Sequence, residues 1–100
     1  MNIDMERARR EEMRWLILSA LRAAQPIGTS EVIVCNVISY IVFDVTEMDV
    51  RRELDYLAER NLITLEKNRA VWFAKINHRG LDIVEYTVEC HPGIARPKKW

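Results

Sequence analysis

TEMDVRRELDYLAERNLITLE, residues 46–66, is the stretch on which the fold turns. Val50, Leu54 and Leu57 recur at helical spacing and define one apolar face. Thr46 followed three residues later by Asp49 is a capping-box pattern, in which each side chain satisfies a backbone N–H that the first helical turn leaves open. At the far end Asn61 tolerates the left-handed conformation that closes many helices. Leu62 then carries the apolar set into ITLE, a segment of strand length. The stretch therefore predicts a helix running into a β-strand. From Thr46 to Asn61 it holds three basic and five acidic side chains, an unfavourable balance for a helix that is to lie in a DNA groove.

Upstream, residues 4–24 contain no Gly or Pro, and Ile17 or Leu18, Leu21 and Ala24 follow the helical period. The first half of this helix is charged, with Glu6–Arg10 and Arg7–Glu11 four apart; WLILSALRAA is the half that faces the core. Gln25, Pro26, Ile27 and Gly28 end it in a turn. Thr29 or Ser30 caps a second helix over residues 30–42, with Val32 or Ile33, Val37 and Ile41 expected on its core face. Downstream, ITLE and AVWFAKI, joined by a tight turn at KNR, predict a hairpin. Its second strand places Ala70, Trp72, Ala74 and Ile76 on one face and Val71, Phe73 and Lys75 on the other. Asn77 caps a short helix, HRGLDIVEY, and Pro92, Gly93 and Pro97 keep the ending extended.

The order is helix, helix, helix, hairpin, short helix, tail. It predicts a single α+β domain over residues 1–100, a winged helix-turn-helix with the third helix as recognition helix and the hairpin as wing. Residues 1–14 form a charged helical extension, and residues 88–100 an extended tail expected to fold back on the sheet, with Val88 or Ile94 as its cover.

Composition narrows the function classes. The chain is 49% hydrophobic and 30% charged, in the range of a soluble globular domain. Fifteen basic and fifteen acidic side chains cancel, which argues against a DNA-coating protein. Residues 1–60 carry 8 basic and 11 acidic groups, net −3, and residues 61–100 carry 7 and 4, net +3, so an anionic partner is expected on the C-terminal half. Two cysteines, Cys35 within an apolar run and Cys90, suggest no disulfide and a reducing compartment. The apolar runs are too short to cross a bilayer and the N-terminus lacks the pattern of a secretory signal, so a cytoplasmic location is expected.

Two passages resemble known winged-helix proteins. DVRRELDYLAERNLI is similar to the recognition helix and exit turn of regulators of the arsenic-repressor and MarR types, with Asn61 where Gly is usual. AKINHRGLDIVEY resembles the Leu-Thr-x-x-Gly segment after the wing, with Asn77 in the place of Thr. RGLDIVEYTVECHPGIARP resembles the ending of small winged-helix proteins of Mu-like phages and prophages, through Gly80, Asp82, Ile83, Val84, Pro92, Gly93, Ile94, Arg96 and Pro97. The likeness runs from about Trp15 onward. It implies the winged-helix fold and a phage setting; the regulators imply DNA binding and transcription regulation, while the phage group implies no particular role.

For a reader of double-stranded DNA, the candidate residues are Arg51 and Arg52 on the third helix, with Lys67, Arg69 and Lys75 on the hairpin for phosphates. A salt bridge from Arg51 to Asp55 is the bland alternative for that face. Val71, Phe73 and the terminal Trp100 are candidates for an interface with a phage or host protein or with a second copy in a homodimer, because both hairpin faces are apolar. His78, and His91 beside Cys90, are too few for a metal centre. No glycine-rich phosphate loop or nucleophile set stands out, so no catalytic residue, metal or cofactor is expected. Two readings stand: a DNA-binding protein, or a protein-interaction module that uses the same scaffold for phage assembly or packaging.

Overall fold

The computed structural model describes residues 3–99. It is an α+β domain with the helices α1 (Met5–Ala23), α2 (Glu31–Ile38), α3 (Glu47–Glu59) and α4 (His78–Val84), and the strands β1 (Thr29–Ser30), β2 (Ile63–Glu66) and β3 (Phe73–Ile76). The sheet is antiparallel in the order β1-β3-β2. This arrangement is compatible with a winged helix. Among the described residues no helix is long and apolar enough to cross a membrane.

Helix starts follow the local chemistry. Asp4 accepts from the Arg7 N–H, Ser30 from that of Ile33, and Asn77 from that of Gly80. At α3 both halves of the capping box are present, each at 3.1 Å: the Asp49 N–H donates to Thr46 Oγ1 and the Thr46 N–H to Asp49 Oδ2. Asn61 leaves α3 at φ 60°, the left-handed turn expected of it. Val50, Leu54 and Leu57 are fully buried against Met13, Ile17, Leu18 and Leu21 of α1, and Ala74 and Ile76 of β3 close the same core.

Five expectations are corrected. The core face of α2 is Val34 and Ile38, continued by Val42; Val32, Ile33, Val37 and Ile41 point outward. The regular helix also ends at Ile38, and turn bonds from the Ile41 and Val42 amides to the Ile38 carbonyl, at 3.0 and 2.8 Å, carry the chain into a reversal at Asp44, φ 64°. The hairpin connection is not a tight turn. Pairing stops at Glu66 opposite Phe73, because the start of the expected second strand is drawn toward α2 instead. There the Trp72 N–H donates to the Glu31 carboxylate, and the Trp72 carbonyl accepts from the Glu31 N–H at 2.8 Å.

Residues 29–30 also pair with β3, a third strand absent from the sequence expectation. Finally, the tail lies across α1 and α4 rather than along the sheet. The Ala95 N–H donates to the Glu11 carbonyl at 3.1 Å, Arg14 donates to the Gly93 carbonyl at 2.8 Å, and Ile94 is buried. Prolines and a glycine deny this tail a strand ladder, but a single apolar residue suffices to plug it into the helices.

Gly80 seats α4. A Cβ there would run into the Leu62 backbone carbonyl and the Ile76 side chain, and a carbonyl held at the α3–β2 junction has little room to yield. Gly80→Ala should therefore cost about 1–3 kcal/mol, read as a fall in thermal midpoint of about 4–8 °C per kcal/mol for a domain of this size. An unchanged midpoint would mean that α4 is not packed as described.

Candidate interaction surfaces

The outward side of α3 and the β2–β3 connection border a shallow groove of about 460 Å³ lined by Met48, Asp49, Arg51, Arg52, Asp55 and Trp72. This is the surface the DNA reading would use. Its cations are engaged within the chain. Arg51 grips Glu31 bidentately, Nε to Oε1 at 2.6 Å and Nη2 to Oε2 at 2.7 Å, and Nη2 also reaches the Ala70 carbonyl at 2.9 Å. Its guanidinium stacks 4.5 Å from the Trp72 ring centre. The expected Arg51–Asp55 pair is replaced by this one, because a planar fork fits the carboxylate that the Trp72 backbone N–H holds in place better than a side chain one turn along the helix. Glu31 is almost wholly buried, and the Arg51 hydrogen bonds hold its carboxyl below the usual glutamate range, outweighing the effect of burial. The same contact raises the Arg51 pKa further.

Arg52 spreads over three carboxylates: Glu53 at 3.2 Å, Asp49 at 3.4 Å and Glu6 at 3.6 Å. Lys67 binds Asp55 and lies 4.6 Å from the Trp72 ring centre. Arg60, the C-cap residue of α3, stacks on Tyr56 and donates to its carbonyl. Arg69 and Lys75 differ. Both side chains are exposed and make no ion pair among the described residues. Of the expected interface set, Val71 is partly exposed, Phe73 is half-buried beside the Gly28 turn, and Trp100 lies outside the described residues.

A second carboxylate organises the opposite side of α3. Glu53 is fully buried and accepts from Arg10 Nε and Arg14 Nε, each at 2.8 Å. Arg14 is itself buried and lies flat over Tyr56, with its Cζ 3.5 Å from the ring centre; Arg60 stacks at 3.4 Å from the same centre. Arg9 extends the seam, donating to the Asp44 carbonyl at 3.0 Å and pairing with Asp49. The charged first half of α1 is thus a clamp on α3 and on the tail.

Read from the sequence, Glu31 at the first position of α2 only suits the positive helix end, and Glu53 goes unremarked. The latter had a signal: it sits three residues after Val50 and four before Leu57, on the apolar stripe, and Arg10 and Arg14 are one turn apart on α1.

Exposed apolar side chains cluster on α2 and the turn after it. Val32, Ile33, Val37, Tyr40 and Ile41 run along the outer face, with Tyr40 90% and Ile41 66% accessible, and Phe43 beyond them is 88% accessible. Asn36 lies within the stripe and Ser39, whose hydroxyl donates to the Cys35 carbonyl at 2.6 Å, at its edge, and no Asp, Glu, Lys or Arg lies between Glu31 and Asp44.

His78 and His91 line a separate pocket of about 430 Å³ with Asp82 and Glu89. No group of three or more metal-ligating side chains is assembled among the described residues. Cys35 and Cys90 are free thiols, and burial pushes that of Cys90 up. Comparison with protein-family models, curated proteins and solved structures finds no match.

Proposed function

We propose that this chain is a protein-interaction module on a winged-helix scaffold, of the kind a phage assembly or packaging accessory would use, and that α2 rather than α3 is its working face. The observation that carries the reading is a contrast between two surfaces. The arginines of α3 are spent on Glu31, Glu53 and Asp49, whereas α2 offers an uncharged apolar stripe to solvent. Charge depletion with aromatic enrichment is the composition of a protein interface core, and phosphate binding needs the opposite.

Titration of labelled duplex DNA of mixed sequence at about 50 mM and about 200 mM salt tests it. Expected is no saturable binding at either concentration. Binding that weakens by orders of magnitude between the two, and that Arg69→Glu with Lys75→Glu removes, would overturn the reading.

The second reading, double-stranded DNA as partner, is favoured by one observation: Arg69 and Lys75 are exposed on the hairpin with no ion pair among the described residues, in the part of the chain, residues 61–100, with net charge +3. Under it, contact would be to phosphates through the hairpin, with little base reading by Arg51.

A further inference from the structure

We propose that the α2 stripe is a homodimer interface, in which α2 packs antiparallel on α2 of a second copy about a two-fold axis passing beside Asn36 and Val37. The inference rests on the reading of α2 as the working face and names its partner.

Area is the first support. At about 150–250 Å² for a fully exposed large side chain, the open fractions of Val32, Ile33, Val37, Tyr40, Ile41 and Phe43 leave on the order of 700 Å² available. A standard interface buries about 800 Å² per partner, so one copy of this face supplies what half of a stable dimer needs.

Self-complementarity is the second. A two-fold interface joins a patch to itself, so like charges within it would be brought face to face. Between Glu31 and Asp44 there are none. Asn36, at the middle of the stripe, carries both a donor and an acceptor and can pair with its own image. A single amide in an apolar helix seam fixes register at some cost in stability.

Orientation follows from side-chain size and dipole. The N-terminal end of the stripe bears the branched residues Val32 and Ile33, and the C-terminal end the large Tyr40, with Phe43 in the turn beyond. Antiparallel packing sets Tyr40 against Ile33 of the partner subunit, large against small, and aligns the two helix dipoles head to tail. A parallel pair would crowd ring on ring.

The test is sedimentation equilibrium on the full chain from about 1 to about 100 µM, spanning the affinities of ordinary dimers. The expected result is a concentration-dependent dimer that Tyr40→Asp with Ile41→Asp weakens at least about a hundredfold, as loss of a buried aromatic anchor in both copies does, while the helical circular dichroism is unchanged. Cysteine cross-linking in a Cys35→Ala, Cys90→Ala background reads the geometry. Asn36→Cys should link quickly and Val32→Cys slowly; equal rates would mean a parallel pair and overturn the proposed axis. A wild-type chain monomeric at about 100 µM overturns self-association but leaves the module reading intact. Salt-steep duplex binding overturns that reading whether or not a dimer forms. Should the double aspartate variant lose its dichroism, Ile33→Ser with Val37→Ser, on the same exposed face, replaces it, and a dimer undiminished by that change sinks the proposal.

Discussion

Glu53→Ala should be among the most damaging single changes in this chain, at about 3–5 kcal/mol of stability, or a fall of more than about 10 °C in thermal midpoint. The reason is what it leaves behind. Arg10 and Arg52 are partly exposed and can turn to water when their carboxylate is gone, but Arg14 is 7% accessible and wedged between Tyr56 and the Gly93 carbonyl. Its charge would stay buried without a counter-ion. A buried pair gains little over an apolar one, yet half a pair is costly. The double variant Arg14→Met, Glu53→Met should therefore recover most of the loss, and Arg52→Ala, at a largely solvated site, should cost no more than about 1 kcal/mol. Urea unfolding followed by circular dichroism gives all four values on one scale. A Glu53→Ala protein within about 1 kcal/mol of the parent would mean that Arg14 finds water, and the clamp between α1, α3 and the tail would be a surface feature.

The parts of the fold that were legible in the sequence are those decided within a few residues. The start, face and end of α3 rest on Thr46, Asp49, Val50, Leu54, Leu57 and Asn61, all inside one turn of the neighbour they act on. The same holds for Ser30 and Asn77 as caps. What was hidden depends on partners far along the chain. In VIVCNVISYIVF either of two helical registers is apolar, so periodicity cannot say whether Ile33, Val37 and Ile41 or Val34, Ile38 and Val42 face inward. Glu31 breaks the tie, and only through Arg51, twenty positions away, and Trp72, forty-one away. The hairpin's lost first pairs have the same origin, since the Trp72 backbone is committed to Glu31. The tail was misread because Gly93 and Ala95 meet Arg14 and Glu11 across most of the sequence. For the candidate site the consequence was large: arginines that look free in a linear reading were already taken.

Glu31→Gln puts that last point to a direct test, because it removes the anion that holds Arg51 while keeping nearly the same shape. Two outcomes are expected together. Stability falls by about 2–3 kcal/mol, toward the low end for a buried pair, since Arg51 remains partly solvated and glutamine can still accept from the Trp72 N–H. The loss depends on pH in a fixed direction. Arg51 depresses the Glu31 pKa in the folded chain, so the carboxylate's contribution is fully present above the ordinary glutamate value of about 4.3 and fades as pH falls through the folded value. The gap between parent and variant should then be constant at neutral pH and narrow only in acid, where the parent carboxyl is protonated as well. The second outcome concerns DNA. With Glu31 neutral, the guanidinium of Arg51 is free to swing from the Trp72 ring toward the groove beside Met48 and Asp55. The variant should then retain more duplex DNA at about 50 mM salt than the parent, which shows no saturable binding, and lose that gain as salt rises, as one added phosphate contact would. If Arg51 reads DNA in the parent, the result reverses: Glu31 would be the residue that aims it, and loss of the pair would weaken binding despite the gain in positive charge. The sign of that change in affinity decides whether the pair is a structural strut of an interaction module or the mount of a base-reading arginine.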